Sequence, residues 1–185
     1  YSATFPVRIK SFKQKFMPKA EVINLMDELM LIGLTHYYML LDERDKMKAS
    51  IKFTPNLLSI NALSFVDQTK EHNSCQKNSM KESMKIDTPF RYEALRKTKV
   101  FESFRKGEFK TLVSSNLIAR GIDVPTVNVV INFDFPTEGS TYLHRIGRSG
   151  RYGQIGLAIN LITEADQENV VKIEKELDTK IDPMP

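Results

Sequence analysis

The densest concentration of potential chemistry in this chain is residues 144–151, which have the sequence HRIGRSGR and are called here the arginine run. Arg148 and Arg151 are spaced i, i+3, so on a helix their guanidinium groups would share one face. Such a pair suits phosphate oxygens and can stabilise the charge that develops on a transferring phosphoryl group. A solvated basic helix end is the alternative interpretation. Gly147 and Gly150 argue against it, because glycine weakens a helix by about 1 kcal/mol relative to alanine.

A second candidate site precedes the arginine run. Residues 119–123, with the sequence ARGID, predict a glycine turn that ends in a carboxylate. The side chain of Asp123 could accept hydrogen bonds from ribose hydroxyls. The alternative is a turn residue that satisfies its own backbone. Alone this motif is weak, but the arginine run begins 21 residues after Asp123, and the combination favours a phosphate and nucleotide site.

Strand and helix patterns alternate around these motifs. Asp42 predicts a helix start, Pro55 and Gly107 predict helix ends, and Thr163 with Asp166 predicts a capping box for a last helix. Buried strands that alternate with helices predict an α/β fold, a parallel sheet covered by helices. Because ligands bind at the carboxyl ends of such strands, we expect both motifs there. The predicted strands are 34–41, 59–66, 109–114, 127–133 and 156–162, and the predicted helices are 43–53, 92–106 and one that follows Asp166.

Length and composition set the broad class. The 185 residues fit one domain with a leading arm, and 41% hydrophobic with 27% charged residues excludes global disorder. The net charge of +4 is unevenly distributed. Residues 91–151 hold 11 Lys/Arg against 6 Asp/Glu, and residues 152–185 hold 3 against 7. The charge asymmetry predicts a local anion site beside both motifs.

The cysteine content and the hydrophobic stretches of the sequence indicate the cellular environment of the protein. A single cysteine, Cys75, excludes an internal disulfide and a four-cysteine zinc site, and it suits a reducing compartment. We expect no metal site in this chain, no membrane span and no secretory signal. Because the first residue is Tyr1 and not methionine, we expect the chain to begin inside a longer product.

The arginine run resembles the sixth motif of DEAD-box ATP-dependent RNA helicases, residues 119–123 resemble their fifth motif, and residues 2–4 resemble their third. The resemblance covers most of residues 1–49 and 99–185 and is weak over 50–98. It implies a RecA-like fold with helices on both faces of the sheet, after an extended or helical arm. Residues 1–33 would be the end of a first RecA-like domain with the linker, and 34–185 the second, C-terminal domain. The flanking sequence most resembles the branch that represses translation and activates decapping.

The resemblance implies a nucleotide site completed by domain closure. Arg148 and Arg151 would reach the ATP γ-phosphate as catalytic arginine fingers. His144 would communicate with the catalytic carboxylates of the first domain. The resemblance assigns ATP binding to Gly121, Asp123, Arg148 and Arg151.

RNA-backbone contacts are implied for a second set of residues. Serine hydroxyls at the end of a strand can donate to phosphates. Many relatives have Thr-Asp where this chain has Ser115 and Asn116, so a charge is lost here. Lys97 stands where relatives have an arginine that clamps RNA, and it is a poorer bidentate donor. The implied RNA-binding residues are Ser114, Ser115, Arg120, Gly121 and Lys97.

A third set of residues would couple ATP hydrolysis to strand separation. In the family the third motif has this role, and the arginine run communicates with it. Arg145 would pair with a carboxylate such as Asp134 or Asp123. The resemblance assigns coupling to Ser2, Ala3, Thr4, Arg145 and Gly147.

The chain has neither a Walker A loop nor an Asp-Glu-Ala-Asp motif, so we expect it not to hydrolyse ATP alone. Mg²⁺ would be held by the missing N-terminal RecA-like domain. The expected parent is a cytoplasmic ATP-dependent RNA helicase that acts on single-stranded RNA or mRNA in repression, storage or decapping, located in P-bodies or mRNP granules with factors of that process. One alternative is a catalytically weak platform that binds mRNA decay and repression factors. Another is a helicase-like ATPase directed to DNA or independent of nucleic acid.

Overall fold

The computed structural model describes residues 7–19, 21, 33–56, 61–66, 102–108, 110–114, 127–150 and 155–185. The chain divides into two compact units, residues 1–32 and 33–185. In the first unit, helix α1 spans Val7–Phe16. The rings of Phe12 and Phe16, one turn apart on this helix, have centroids 4.6 Å apart. The assignment of residues 1–33 to a preceding domain and linker stays a prediction.

The second unit is built on six parallel strands in the order β3-β2-β4-β5-β1-β6. This confirms the predicted α/β fold with a parallel sheet. In chain order the elements are β1 Leu34–Leu40, α2 Glu43–Asn56, β2 Ala62–Phe65, β3 Thr111–Ser114, β4 Val129–Asn132, α3 Gly139–Ile146, β5 Gly156–Ile162, a 3-10 turn Glu164–Asp166, α4 Gln167–Leu177 and β6 Asp182–Pro183.

The order of the strands places helices on both faces of the sheet. The connections β4 to β5 and β5 to β6 step toward one edge of the sheet, while β1 to β2 and β2 to β3 step toward the other. Right-handed crossovers therefore put α3 and α4 on one face, called here the α3 face. They put α2 and the helical residues 102–105 on the opposite face, called the α2 face.

One cluster of the apolar core lies on the α2 face. Side chains alternate along each strand, so in β4 Val129 and Ile131 face α2 whereas Val130 and Asn132 face α3. Burial of each large aliphatic or aromatic side chain stabilises the fold by about 1.5–3 kcal/mol. The buried members of this core are Met47, Ala62, Val66, Val113, Val129, Ile131, Phe133, Ile159 and Leu161.

Several local predictions can be compared with the structure. The predicted capping box is present, because the main-chain N and Oγ1 of Thr163 donate to Oδ2 of Asp166 at 3.0 and 2.9 Å. Gly107 has φ +75° after a helical turn, as expected for a glycine stop. The predicted helix 43–53 is three residues too short, since α2 ends at Asn56 and includes Pro55. The short strand β6 was not predicted.

Candidate functional site

The arginine run begins in α3 and continues past its end. Helix α3 stops at Ile146, and the next two turns are tighter, because the amides of Arg148 and Ser149 donate to carbonyls three residues back at 3.2 and 2.9 Å. Gly150 then has φ +71°. Arg148 therefore lies beyond the end of the helix, and its predicted placement on one helix face with Arg151 stays a prediction. Arg151 lies outside the described residues.

Gly150 places the end of the arginine run at the amino edge of the sheet. Gly156 is the first residue of β5, and its amide donates to the carbonyl of Gly33, just before β1, at 2.8 Å. A Cβ on Gly156 would lie 2.7 Å from the nitrogen and 2.9 Å from the Cα of Gly150. The two glycines are thus in backbone contact.

The expected position of the arginine run at the carboxyl ends of the strands is consequently wrong. A helix that joins two parallel strands runs back across the sheet, so residues that follow the helix lie at the opposite edge from residues that precede it. Asp134 follows β4 at the carboxyl edge, whereas Arg148 follows α3 at the amino edge. The sequence prediction placed the arginine run directly after β4, although α3 lies between the strand and most of the run.

Arg145 is the anchored arginine of the run. Its side chain is 1% exposed, and its Nη1 donates to Oδ1 of Asn132 at 3.0 Å and to the main-chain carbonyl of Asp134 at 2.5 Å. The guanidinium also lies 5.3 Å from the ring centroid of Phe65. Arg145 therefore contacts Asp134, the acidic residue named as a possible partner, through a main-chain carbonyl. Charge-assisted bonds of this kind offset the cost of burying a guanidinium.

Arg148 differs from Arg145 in burial. It is partly buried, and its Nε donates to the carbonyl of His144 at 3.2 Å, which ties the side chain to the last turn of α3. His144 is also partly buried. Among the described residues of the run, the arginine nearest to solvent is thus Arg148, at the amino edge.

A buried polar network connects Arg145 to the sheet and was missed by the sequence analysis. Nδ2 of Asn132 donates to Oδ1 of Asn160 at 2.8 Å, and Nδ2 of Asn160 donates to the Tyr142 hydroxyl at 3.3 Å. The Tyr142 hydroxyl is 2.9 Å from Nδ1 of His36. The sequence carried one signal for this network, because an asparagine inside a run of buried aliphatic residues needs a buried partner.

Burial perturbs both titratable ends of this network. Burial raises the pKa of the Tyr142 hydroxyl above its ordinary value of 10.0, against a smaller lowering by Asn160, while the charge of Glu174 adds a small rise. Burial lowers the pKa of His36 below its ordinary value of 6.5. Both side chains are therefore neutral at neutral pH.

Ser114 is the described member of the predicted RNA-binding set. It is the last residue of β3, at the carboxyl edge, pairs in register with Phe65, and is 5% exposed. It thus lies at the opposite edge from Gly150. The structure also describes His144, Arg145, Gly147 and Arg148. The remaining predicted site residues lie outside the described residues, and these are Ser2, Ala3, Thr4, Lys97, Ser115, Arg120, Gly121, Asp123 and Arg151.

The described residues also bear on metal binding and on membrane insertion. No group of three or more His, Cys, Asp or Glu side chains in the described part of the chain is placed to hold a metal ion. Within the same ranges, no helix combines the length and apolarity needed to cross a membrane.

Comparison of the sequence with models of known protein families identifies one family. Residues 51–153 match the family described as helicase conserved C-terminal domain. The matched range includes the segment 50–98, where the family resemblance in the sequence is weak, and it ends just after the arginine run.

Curated relatives match over the whole chain. The chain is 44% identical to the probable ATP-dependent RNA helicase ddx6 of Dictyostelium discoideum and covers 44% of that protein. It is 43% identical to DEAD-box ATP-dependent RNA helicase 6 of rice, Oryza sativa subsp. japonica, and 44% identical to ATP-dependent RNA helicase DHH1 of Kluyveromyces lactis. It covers 37% and 36% of those two proteins, so the chain spans well under half of these relatives.

Solved structures match the same fold. The chain aligns over its full length with half of S. cerevisiae Dbp5 L327V bound to RNA and ADP BeF3, at 29% identity and TM-score 0.86. It also aligns with the C-terminal domain of the DEAD-box protein Dbp5, over 84% of this chain and 92% of that one, at 29% identity and TM-score 0.70. A third similar structure is E. coli DEAD-box protein SrmB bound to regulator of ribonuclease activity A, at 28% identity and TM-score 0.71 over 82% of this chain and 91% of that one.

Proposed function

The chain belongs to the helicase conserved C-terminal domain family, as a RecA-like domain of the DEAD-box type, and we propose that it supplies arginine fingers and RNA-backbone contacts to an ATP-dependent RNA helicase. ATP and single-stranded RNA would bind between this domain and an N-terminal RecA-like domain of the same parent protein. Closure of the two domains would drive RNA unwinding or remodelling.

The observation that carries this proposal is the different placement of Arg145 and Arg148. Arg145 is fully buried and holds the last turn of α3 onto β4, whereas Arg148 is partly buried beyond the helix end. An arginine held by a fixed backbone loses less conformational freedom when it meets a phosphoryl group. We therefore assign Arg148, with Arg151, to the γ-phosphate of ATP.

The placement of candidate residues at two edges of the sheet supports separate roles for the two edges. The arginine run meets the amino edge of the sheet, where Gly150 contacts Gly156. Ser114 ends β3 at the carboxyl edge. Nucleotide contacts by Arg148 would then lie at the amino edge, and RNA contacts by Ser114 at the carboxyl edge.

Mg²⁺ would be held by the N-terminal domain of the parent. What this chain contributes is positive charge at the transferring phosphoryl group, through Arg148 and Arg151, and communication by His144 with the first domain. On this basis the chain alone does not hydrolyse ATP.

The parent would act on cytoplasmic mRNA in repression, storage or decapping. This assignment rests on the curated relatives, which include a ddx6 and a DHH1 protein with 44% identity each. Decapping and repression factors are the corresponding protein partners, and P-bodies or mRNP granules the corresponding location.

The decisive experiment is RNA-stimulated ATP hydrolysis by the full-length parent. Replacement of Arg148 and Arg151 by alanine should lower kcat on the order of a thousandfold, the scale of an arginine finger, with RNA binding in the absence of nucleotide preserved. Arg105→Ala, at an exposed arginine between β2 and β3, is the matched control and should leave kcat unchanged. Equal activity of the double variant and the control would refute the finger assignment.

A second candidate function is a platform for mRNA decay and repression factors. The similar E. coli structure is a DEAD-box protein bound to a protein regulator, so a domain of this fold can present a protein-binding surface. An inactive parent that still binds its protein partners without RNA would favour this function over the helicase.

A further inference from the structure

Five buried polar side chains form one hydrogen-bonded line between α3 and the sheet. Arg145, Asn132, Asn160 and Tyr142 are at most 1% exposed, and His36 is 6% exposed. Buried polar groups of this kind are costly unless each finds a hydrogen-bond partner. Here each one is bonded to the next, from the arginine run at one end to β1 at the other.

Both ends of the line fix the direction of its hydrogen bonds. An arginine only donates, so Asn132 must present Oδ1 to Arg145 at 3.0 Å and Nδ2 to Asn160 at 2.8 Å. The amide of Asn160 is fixed independently, because its Nδ2 donates to the main-chain carbonyl of Tyr37 at 2.9 Å, and a carbonyl only accepts. Asn160 therefore presents Oδ1 to Asn132, which agrees with the orientation that Arg145 imposes on Asn132.

The last link depends on a neutral imidazole. The Tyr142 hydroxyl accepts from Nδ2 of Asn160, so its own proton is available for Nδ1 of His36 at 2.9 Å. Nδ1 can accept only when it carries no proton, which requires the neutral His36 with its proton on Nε2. Every side chain in the line then donates to the next one.

We propose that Asn132, Asn160, Tyr142 and His36 are positioning residues, a one-way hydrogen-bond relay that sets the orientation of Arg145 and thereby the position of the finger residue Arg148. Arg145 transmits the orientation through its own backbone, because its carbonyl accepts the amide of Arg148 at 3.2 Å. The catalytic consequence rests on the proposed helicase function, whereas the relay itself is a property of this chain.

The relay predicts that acid reverses its final link. A protonated His36 would donate from Nδ1, so the Tyr142 hydroxyl would face two donors and its proton would lose this acceptor. The titratable groups recorded around this end are Tyr142 on α3 and Glu174 on α4, which acts on Tyr142. In register, β5 contributes the uncharged Ala158 beside His36, and β6 contributes Asp182, which pairs with Lys180 at 2.9 Å.

The first test observes Arg145 directly, by NMR of its guanidinium protons in the 185-residue chain. Tyr142→Phe removes the hydroxyl and keeps the ring, so it should shift the Arg145 signals and speed their exchange with water. Tyr37→Phe is the same chemical change on β1 with a side chain on the opposite face of the sheet, beside Ile159, and should leave those signals unchanged. Unchanged Arg145 signals in Tyr142→Phe would overturn the proposal.

A second pair of variants covers the possibility that Tyr142→Phe does not fold. His36→Asn keeps an acceptor oxygen near the place of Nδ1 but cannot titrate, whereas His36→Leu removes the acceptor. The Arg145 signals should be retained in His36→Asn and lost in His36→Leu. As the pH falls through the pKa of His36, they should change in the unmodified chain and stay constant in His36→Asn. Identical pH responses of the unmodified chain and His36→Asn would contradict the relay.

Activity of the full-length parent gives the functional arm. Tyr142→Phe should lower kcat for RNA-stimulated ATP hydrolysis by about tenfold to a hundredfold, the scale of a misplaced catalytic group, with KM for ATP within about twofold. His36→Asn should keep kcat near that of the unmodified parent, whereas His36→Leu should lower it as Tyr142→Phe does. A parent without ATPase activity would refute the proposed function and leave the NMR result to decide the relay. An active parent whose kcat is insensitive to Tyr142→Phe would refute the positioning role.

Discussion

Gly150 and Gly156 touch through their backbones, and this contact joins the end of the arginine run to the first residue of β5. A Cβ at Gly156 would come within 2.7 Å of the Gly150 nitrogen and would also meet the side chain of Leu34. Real Cβ atoms essentially never approach this closely, so the contact requires glycine at position 156. Because Arg148 is two residues before Gly150, the contact also limits the positions that the Arg148 backbone can adopt.

Substitution of Gly156 by alanine should therefore affect both stability and catalysis. The new Cβ would meet main-chain atoms of Gly150, which cannot rotate away, so the segment or the strand must shift. We expect the free energy of unfolding to fall by about 1–3 kcal/mol, as for overpacked cores. Urea unfolding of the chain measures this loss, and the ATPase kcat of the parent should fall with it.

Gly107→Ala is the matched control for this change. Gly107 has φ +75°, but a Cβ there would meet only the Nζ of Lys110 at 3.6 Å. The expected loss is about 1 kcal/mol, from the left-handed backbone alone, with no effect on kcat. A loss in Gly156→Ala no greater than in Gly107→Ala would show that the glycine contact is not restrictive.

Separation of the two sheet edges predicts separable phenotypes. Ser114→Ala removes one hydroxyl at the carboxyl edge and should weaken RNA binding by about fivefold, the scale of one hydrogen bond. KM for ATP should not change. Arg148→Ala at the amino edge should show the converse, with RNA affinity retained and kcat lost. Fluorescence anisotropy with single-stranded RNA and steady-state ATPase assays measure the two effects, and parallel losses in both variants would argue against two edges with separate roles.

The sequence predicted the sheet well because β4 and β5 are buried on both faces. Continuous aliphatic runs such as 129–131 indicate strands in the middle of a parallel sheet. The capping box of Thr163 and Asp166 was equally readable, since it depends on neighbours in sequence. Short-range signals of this kind do not depend on the tertiary fold.

The predictions that failed concern residues that are close in space but far apart in the sequence. The edge at which the arginine run lies depends on where α3 ends, and Ile146 as its last residue was not evident from the pattern. The relay joins His36 to Tyr142 across 106 residues, so no local pattern could reveal it. An asparagine within a buried strand marks a need for a partner but does not identify the partner.

Stability of the chain should depend on pH through His36. Burial lowers the pKa of His36 in the folded state below the ordinary value of 6.5 that it has in the unfolded chain. The unfolded state therefore binds the proton first as the pH falls, so the stability contributed by neutral His36 is complete above pH 6.5 and lost below it. Urea unfolding between pH 8 and pH 5.5 should show this decline, and His36→Asn should reduce it. An unaltered decline in His36→Asn would assign the effect to other groups.

Lys46 is a fully buried cation whose partners differ in exposure. Its Nζ lies 3.1 Å from Glu43, whose side chain is 48% exposed, and 3.5 Å from Asp166, whose side chain is 9% exposed. Asp166→Asn would remove the buried counter-charge and leave Lys46 with Glu43 alone. We expect a loss of about 3–5 kcal/mol in the free energy of unfolding, as when one partner of a buried ion pair is removed.

Lys46→Met should cost much less than Asp166→Asn, about 1 kcal/mol, because Asp166 keeps its hydrogen bonds from the N and Oγ1 of Thr163. Lys48→Met is the control on the same helix, since the pair of Lys48 with Asp45 is solvent-exposed and contributes about 0.5 kcal/mol or less. The expected order of destabilisation by urea unfolding is therefore Asp166→Asn, then Lys46→Met, then Lys48→Met. A larger loss for Lys46→Met than for Asp166→Asn would mean that the packing of the lysine stem, and not the compensation of its buried charge, holds α2 against the turn that follows β5.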